Sequence, residues 1–134
     1  MKTLTAILFL TLSLFAVDGQ KVFEENCKAC HLGMVSKADF KAQYKTIKAP
    51  PMVVISNRLK NTITIKDDDE EVHRFVVVSF IKEYLKRPSW SYYLCDDAAI
   101  NRFDVMPAQT HLSDAELQAV AEWVFDEFED KEFK

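Results

Sequence analysis

The stretch Cys27-Lys28-Ala29-Cys30-His31 decides the fold and the chemistry expected of this 134-residue chain. A Cys-x-x-Cys-His run is the signature of covalent c-type haem attachment, in which two thiols add to the two vinyl groups and the adjacent imidazole is aimed at the iron. Two intervening residues let both thiols reach one side of the same porphyrin, and a neutral ring nitrogen of the histidine can ligate iron. A bare Cys-x-x-Cys also fits a thioredoxin-like redox pair or half of a zinc site.

The residues before the motif predict a short helix that ends at the cysteines. Residues 20–31 start with the apolar pair Val22 and Phe23 and with Glu24 and Glu25, whose charges suit the N-terminal end of a helix dipole. In a thioredoxin-like protein the cysteine pair follows a strand and opens a helix, whereas here a helical segment precedes the pair. This context disfavours the redox-pair alternative.

The N-terminus has the pattern of a signal peptide. A lysine at the start, an apolar run over residues 4–15 and short residues at 17–19 fit this pattern. We expect residues 1–19 to be removed, with cleavage after Ala16 as the alternative. The apolar run is much shorter than the roughly 20 residues that span a bilayer, so a retained anchor is disfavoured and no transmembrane segment is expected after cleavage. The sequence thus predicts one exported, periplasmic domain over residues 20–134.

The chain is acidic overall, with 17 basic and 21 acidic residues and a net charge of −4 at pH 7. This balance disfavours nucleic acid as a partner, because phosphate binding requires a basic surface. Residues 21–48 are the exception, since they hold six lysines against three acidic residues. Such a stretch is typical of a solvated helix face, and it is also a candidate docking surface for redox partners.

Two short helices are predicted on either side of a proline corner. Residues 32–48 contain aromatic and apolar positions spaced for one or two helical turns, and Pro50-Pro51 ends them. Residues 52–59 predict a second short helix. The β-branched stretch 61–66 is too short and isolated to imply a sheet, and we expect a loop there.

A longer helix is predicted over residues 72–87. Residues 74–81 have a strand-like composition, but the length of the run and its helical spacing favour a helix that starts at the acidic run 67–71 and ends before Pro88. The predicted apolar face comprises residues 72, 75, 78, 81 and 85.

The last helix is the clearest element of the sequence. Ser113 and Glu116 form a capping box, and Leu112 can pack on Leu117. The helix then has an apolar stripe of Leu117, Val120, Ala121, Val124 and Phe128. Before it, residues 89–103 form an aromatic patch expected to cover something large. No strand-rich region appears, so the sequence predicts an all-α domain.

A haem iron has two axial positions, so a second ligand is expected far from the motif. Met106 is the best candidate, because Pro107 follows it in a non-helical stretch where a thioether could point inward. Met34 and Met52 are rivals by residue type, but Met34 is too close to His31 to reach the opposite face of the haem.

Other residues could ligate or support the iron. His111 could replace Met106 if the loop shifted, although a solvated loop position is the simpler expectation, and His73 is expected to be exposed at a helix start. A ligating histidine usually donates its other ring N–H to a carbonyl, and the rigid Pro50-Pro51 corner could supply one. Cys95 is expected to be buried, with a free thiol or an intermolecular disulfide as alternatives.

The order of these features resembles the class I c-type cytochromes. The shared pattern is a helix ending in the motif at 27–31, a proline corner at 49–52, Met106-Pro107, and a final helix opened by residues 112–117. The stretch between motif and corner is longer than in small family members, and residues 53–103 carry no family motif.

The resemblance implies a role for each matching residue. Cys27 and Cys30 would be the thioether attachment points, His31 the proximal ligand, Met106 the distal ligand, and the carbonyl of Pro51 the hydrogen-bond partner of the proximal ligand. The implied cofactor is one covalently bound haem c with its iron.

The resemblance also implies the fold and the function. The fold would be the class I cytochrome c fold, with helices wrapped around one haem and with the first and last helices crossing so that Val22 and Phe23 meet Trp123. The expected function is one-electron transfer between redox proteins rather than enzymatic catalysis. A haem enzyme subunit or gas-binding sensor with a displaceable distal ligand remains an alternative, as does a haemless zinc site completed by Cys95 or His111.

Overall fold

The computed structural model describes residues 16–92, 94 and 97–134, and within these residues every regular element is helical. Residues 1–15 of the predicted signal peptide and Cys95 lie outside the described residues. The described α-helices are α1 (Gly19–Asn26), α2 (Lys37–Gln43), α3 (Met52–Thr62), α4 (Glu70–Lys86), α5 (Asp97–Arg102) and α6 (Asp114–Asp126), with single 3₁₀ turns at Lys66–Asp68 and Trp90–Tyr92. The all-α prediction is confirmed. In this part of the chain no helix combines the length and apolar character needed to cross a bilayer.

Helix α1 starts at an aspartate cap and buries one apolar face. The carboxylate of Asp18 accepts hydrogen bonds from the backbone N–H groups of Gln20 at 2.9 Å and Lys21 at 3.3 Å. These N–H groups lack partners within the helix, so the cap stabilises its first turn. Val22 and Phe23 are buried, as predicted.

Helices α1 and α6 pack against each other at very short range. The ring of Phe23 stacks on Trp123 with centroids 4.6 Å apart, which confirms the predicted contact between the first and last helices. Gly19 makes this approach possible, because a Cβ at this position would lie 2.1 Å from the carbonyl oxygen of Ala119 and 2.7 Å from Cβ of Trp123. Only a residue without a side chain fits between the two helices here.

Helix α6 has the predicted cap and core stripe. Ser113 accepts a hydrogen bond from the N–H of Glu116, and the carboxylate of Glu116 accepts one from the N–H of Ser113 in return, which is a complete capping box. The whole predicted stripe of Leu117, Val120, Ala121, Val124 and Phe128 is buried. Helix α6 therefore supplies the centre of the core, packed on one side by α1 and on another by α4.

Helix α4 forms where it was predicted, but its buried face differs from the prediction. Val72 is 47% exposed and Phe75 is 71% exposed. Each three-residue step falls about 60° short of a full helical turn, so Val72 lies about 180° around the helix from Ile81. The buried face comprises Val77, Val78, Ile81 and Leu85.

Helix α3 extends further than predicted, and His73 closes its C-terminal end. Asn61 and Thr62 belong to α3, so the predicted loop over residues 61–66 is helical in its first two residues. The expectation that His73 is exposed is wrong. Its ring is half-buried, and Nε2 donates to the carbonyl of Ile63 at 2.8 Å and to that of Lys60 at 3.1 Å. These carbonyls at the helix end lack other helical partners.

The C-terminal segment returns to cover α2 and α3. The backbone N–H of Lys37 donates to the carbonyl of Lys134 at 2.6 Å. The side-chain amide of Asn57 donates to the carbonyl of Lys131 at 2.9 Å. The ring of Phe133 contacts that of Phe40 edge to face, with centroids 5.5 Å apart. These contacts attach the small α2 segment to the core.

The close approach at Gly19 gives a prediction with a matched control. Gly19→Ala should lower the free energy of unfolding by about 1–3 kcal/mol, because the new methyl group overlaps α6. Gly33→Ala should change it by less than about 0.5 kcal/mol, because a Cβ at Gly33 meets no atom within 4 Å. Urea unfolding of the mature protein, followed by circular dichroism, measures both. Equal stability of the two variants would contradict the described contact.

Candidate haem-binding site

A largely apolar cavity of about 420 Å³ opens at the end of α1. Its lining comes from the end of α1 and the motif, the proline corner, the inner faces of α3, α4 and α6, and the irregular segment that follows α5. The volume lies within the range of about 300–1,000 Å³ that is usual for ligand and cofactor sites. The cavity therefore has the size and polarity of a site for a large apolar cofactor.

The motif forms a tight turn directly after α1. The N–H groups of Cys30 and His31 both donate to the carbonyl of Cys27, at 3.0 and 2.9 Å. This turn brings the two cysteines and the histidine to one wall of the cavity. Cys27 is half-buried and Cys30 is exposed, and both thiols are free. Two thiols and an imidazole on one wall are the groups that attachment and proximal ligation of a haem require.

The proline corner holds the imidazole of His31. Ring atom Nδ1 lies 2.8 Å from the carbonyl oxygen of Pro50, and because a carbonyl can only accept, Nδ1 carries the proton. Nε2 is then unprotonated and has a lone pair available for a metal. The resemblance implied the carbonyl of Pro51, and this is corrected to Pro50. The carbonyl of Pro51 instead accepts from Val54 and Ile55, because Pro51 is the N-cap of α3.

The cavity wall changes the pKa values of the motif side chains. Burial lowers the pKa of His31 because it penalises the charged ring, although the hydrogen bond to Pro50 acts in the opposite direction. The imidazole is therefore neutral at pH 7, as iron ligation requires. Burial, with a smaller contribution from neighbouring Cys30, raises the pKa of Cys27 to about 11. Cys27 therefore remains a neutral thiol in the folded chain.

The candidate distal ligands occupy different environments. Met106 lies in the irregular segment after α5 and lines the cavity. Met52 also lines it, but its N–H donates to the carbonyl of Leu32 at 2.7 Å, which holds its backbone beside the residue that follows His31. Met34 is 53% exposed and is not part of the cavity lining. Met106 is the methionine that reaches the cavity from a segment remote from the motif.

The two other histidines make hydrogen bonds outside the cavity. His73 closes the end of α3. His111 is exposed, and its Nε2 lies 2.9 Å from the side-chain oxygen of Asn26. Neither belongs to the cavity lining. The expectation of a solvated loop position is confirmed for His111.

Three basic side chains contribute to the cavity wall, and sequence reasoning missed the two arginines among them. Arg102 donates from one guanidinium nitrogen to the carbonyls of Tyr44, Lys45 and Ile47, at 3.0, 3.3 and 2.9 Å. Arg58 donates to the carbonyl of Leu94 at 2.8 Å. The third basic side chain is Lys48. These arginines join distant segments, so no local sequence pattern could have identified them.

The described residues contain no metal-binding group of three or more histidine, cysteine or acidic side chains, so the zinc alternative has no support among them. Cys95, one of its proposed ligands, lies outside those residues. By contrast, the paired thiols, the neutral imidazole and the apolar cavity all fit a haem.

Comparisons with known proteins agree with this chemistry. The family model described as cytochrome c oxidase, cbb3-type, subunit III matches residues 16–124. The chain is 28% identical to an uncharacterised protein of Aquifex aeolicus (strain VF5) over 145 aligned positions, which cover 97% of this chain and 90% of that protein. No solved structure matches the chain. The family match includes the motif, the proline corner and the Met106 segment.

Proposed function

Because the chain belongs to the family of cbb3-type cytochrome c oxidase subunit III, a family of c-type cytochrome domains, we propose that it is a monohaem electron-transfer protein of class I type with histidine and methionine as axial ligands. The family supports the haem, the electron-transfer role and the cytochrome c fold. The single observation that carries the finer proposal is that Cys27, Cys30, His31 and Met106 all line one apolar cavity.

Each site residue has a defined task in this proposal. Cys27 and Cys30 would hold the haem covalently, each by adding its S–H across one vinyl group to give a thioether, with no leaving group and no net oxidation. His31 would offer Nε2 to the iron while its hydrogen bond to the carbonyl of Pro50 fixes its tautomer, and Met106 would offer its thioether. When bound, the haem supplies a one-electron couple between Fe(II) and Fe(III). The apolar walls exclude water and favour the less charged, reduced state.

A subunit of a larger oxidase is the second candidate function. It is favoured by the family description, which names a subunit of an oxidase. In such an assembly this domain would still pass single electrons, and the oxygen chemistry would belong to another subunit. A gas-binding or catalytic domain would instead require Met106 to leave the iron and open a position.

Export is part of the proposal, because the covalent attachment site suits a protein matured outside the cytoplasm. Cleavage after Ala16 is better supported than cleavage after Gly19. A cut after Gly19 would remove the Asp18 cap and the glycine that packs against α6, and it would place a positive α-amino group at the positive end of α1. We therefore propose that the mature domain starts at Val17.

Intact-mass spectrometry of protein matured in a bacterial periplasm tests attachment and processing together. We expect the mass of residues 17–134 plus one haem, retained in denaturant because the bonds are covalent. Cys27→Ser/Cys30→Ser should lose all covalent haem, whereas the matched change Cys95→Ser should retain it. A haem-free wild-type protein would refute the attachment proposal, and an N-terminus at Gln20 would refute the cleavage proposal.

Met106→Ala tests the distal ligand. The oxidised wild-type protein should show the far-red absorption band of an Fe–S bond, and its reduced form should bind carbon monoxide poorly because both axial positions are filled. The variant should lose the band and bind carbon monoxide readily. Met34→Ala is the matched control, because its exposed side chain lies outside the cavity lining. Survival of the band in Met106→Ala would remove this residue from the ligand set.

The lysines of residues 21–48 are the proposed docking surface. All six, Lys21, Lys28, Lys37, Lys41, Lys45 and Lys48, are exposed. Lys28 lies within the motif itself, and Lys48 lines the cavity. On a protein of net charge −4, this local excess of positive charge would orient an acidic redox partner toward the cofactor edge.

Salt dependence of electron transfer to hexacyanoferrate(III) tests the sign of this local field. The oxidation rate of the reduced protein should fall as salt is added, because screening weakens attraction of the anion to the lysines. Lys41→Glu/Lys45→Glu should lower the low-salt rate by about tenfold, whereas Lys66→Glu, an exposed lysine on the 3₁₀ turn after α3, should change it by less than about twofold. A rate that rises with salt would show that the net negative charge dominates.

A further inference from the structure

Gln109 is a buried polar residue without a task in haem attachment or ligation. The residue is 8% exposed, and it lines the haem cavity three residues after Met106. Burying a polar side chain costs free energy unless its groups are hydrogen-bonded. The hydrogen bonds that offset this cost therefore indicate what the residue does.

Gln109 joins the Met106 segment to the end of α4. Its backbone N–H donates to the carbonyl of Leu85 at 2.8 Å. Leu85 lies in the last turn of α4, where carbonyls have no partner within the helix. The carbonyl of Gln109 accepts from the N–H of Leu112 at 3.2 Å, which starts the turn into α6. The backbone at this position is therefore attached to the end of α4 and to the turn that precedes α6.

The side chain of Gln109 makes a hydrogen bond to the backbone two residues before it. Its Nε2 donates to the carbonyl of Pro107 at 2.8 Å. Pro107 has no N–H of its own to donate, so its carbonyl is the backbone hydrogen-bonding group it offers. This bond closes a small ring of atoms between Gln109 and Pro107. Because the N–H of Gln109 is bonded to Leu85, the ring also restrains Pro107 and the neighbouring Met106 relative to the end of α4.

We propose that Gln109 is a positioning residue that keeps the Met106 thioether directed into the cavity. The proposal deepens the proposed function and rests on Met106 being the distal ligand. A methionine on an irregular segment loses conformational freedom when it ligates. A segment that the hydrogen bonds of Gln109 already fix loses less conformational freedom when Met106 ligates. These bonds therefore favour the Met106 thioether over an external ligand that competes for the same position on the iron.

Substitution of Gln109 in the mature haem-loaded protein tests the proposal. Gln109→Leu removes the donor, and the oxidised protein should then bind added imidazole about three- to tenfold more tightly, as expected for loss of one hydrogen bond. Its far-red band should disappear at a lower imidazole concentration. Gln118→Leu is the matched control, because Gln118 donates to Glu122 on α6 at 2.8 Å, away from the cavity. It should retain the wild-type imidazole affinity.

Further measurements separate positioning from general stability and from the ligand assignment. If Gln109→Leu fails to mature, Gln109→Ala is the second variant, because it also removes the Nε2 donor. A lowered urea midpoint with unchanged imidazole affinity would assign Gln109 a merely structural role and overturn the proposal. Wild-type affinity in Gln109→Leu, together with a lost band in Met106→Ala, would also overturn it while leaving the proposed function intact. A band that persists in Met106→Ala would instead overturn the proposed function.

Discussion

The close contact between α1 and α6 is the constraint on which the rest of the structure depends. Gly19 allows the two helices to approach, and Phe23 stacks on Trp123 one turn later. Because the motif follows α1 without a linker, this contact also sets where the cysteines and the histidine lie relative to the core. The same buried side chains therefore stabilise the domain and position its chemistry.

The cavity is assembled from segments that are distant in the sequence. The motif provides one wall, α4 another, and the segment after α5 reaches it from a third direction. Arg102 holds residues 44–47, and Gln109 joins the Met106 segment to the end of α4. Polar groups thus fix the loops while apolar helix faces form the interior. Because polar groups fix the loops, the apolar site has a defined shape even where loops rather than helices form its wall.

Sequence alone predicted the elements whose signals are local. The capping box at Ser113, the stripe of α6 and the helix before the motif depend on neighbouring residues, and the structure has all of them. The motif identified the haem chemistry because its spacing has a specific mechanical purpose. The family match supports the haem and the fold, whereas the ligand set remains a prediction.

The features that sequence did not predict depend on distant contacts or on accumulated helix rotation. The face of α4 was misplaced because three-residue steps drift around the helix. His73 was expected in solvent, but the end of α3 lies beside it. The choice between Pro50 and Pro51 depends on which carbonyl the following helix uses, and neither residue type nor spacing reveals that. Arg102 could not be linked to residues 44–47 without the fold.

The Pro50-Pro51 corner has consequences for the energy needed to move an electron. Each proline ring fixes a backbone dihedral, so the carbonyl that holds His31 has little freedom to turn. In the proposed site, where His31 ligates the iron, the imidazole would therefore keep one orientation whether or not the cofactor carries an additional electron. A site whose atoms stay in place when its charge changes has a low reorganisation energy. Rigidity at this corner, which in sequence looks like a simple helix stop, thus favours fast exchange of electrons.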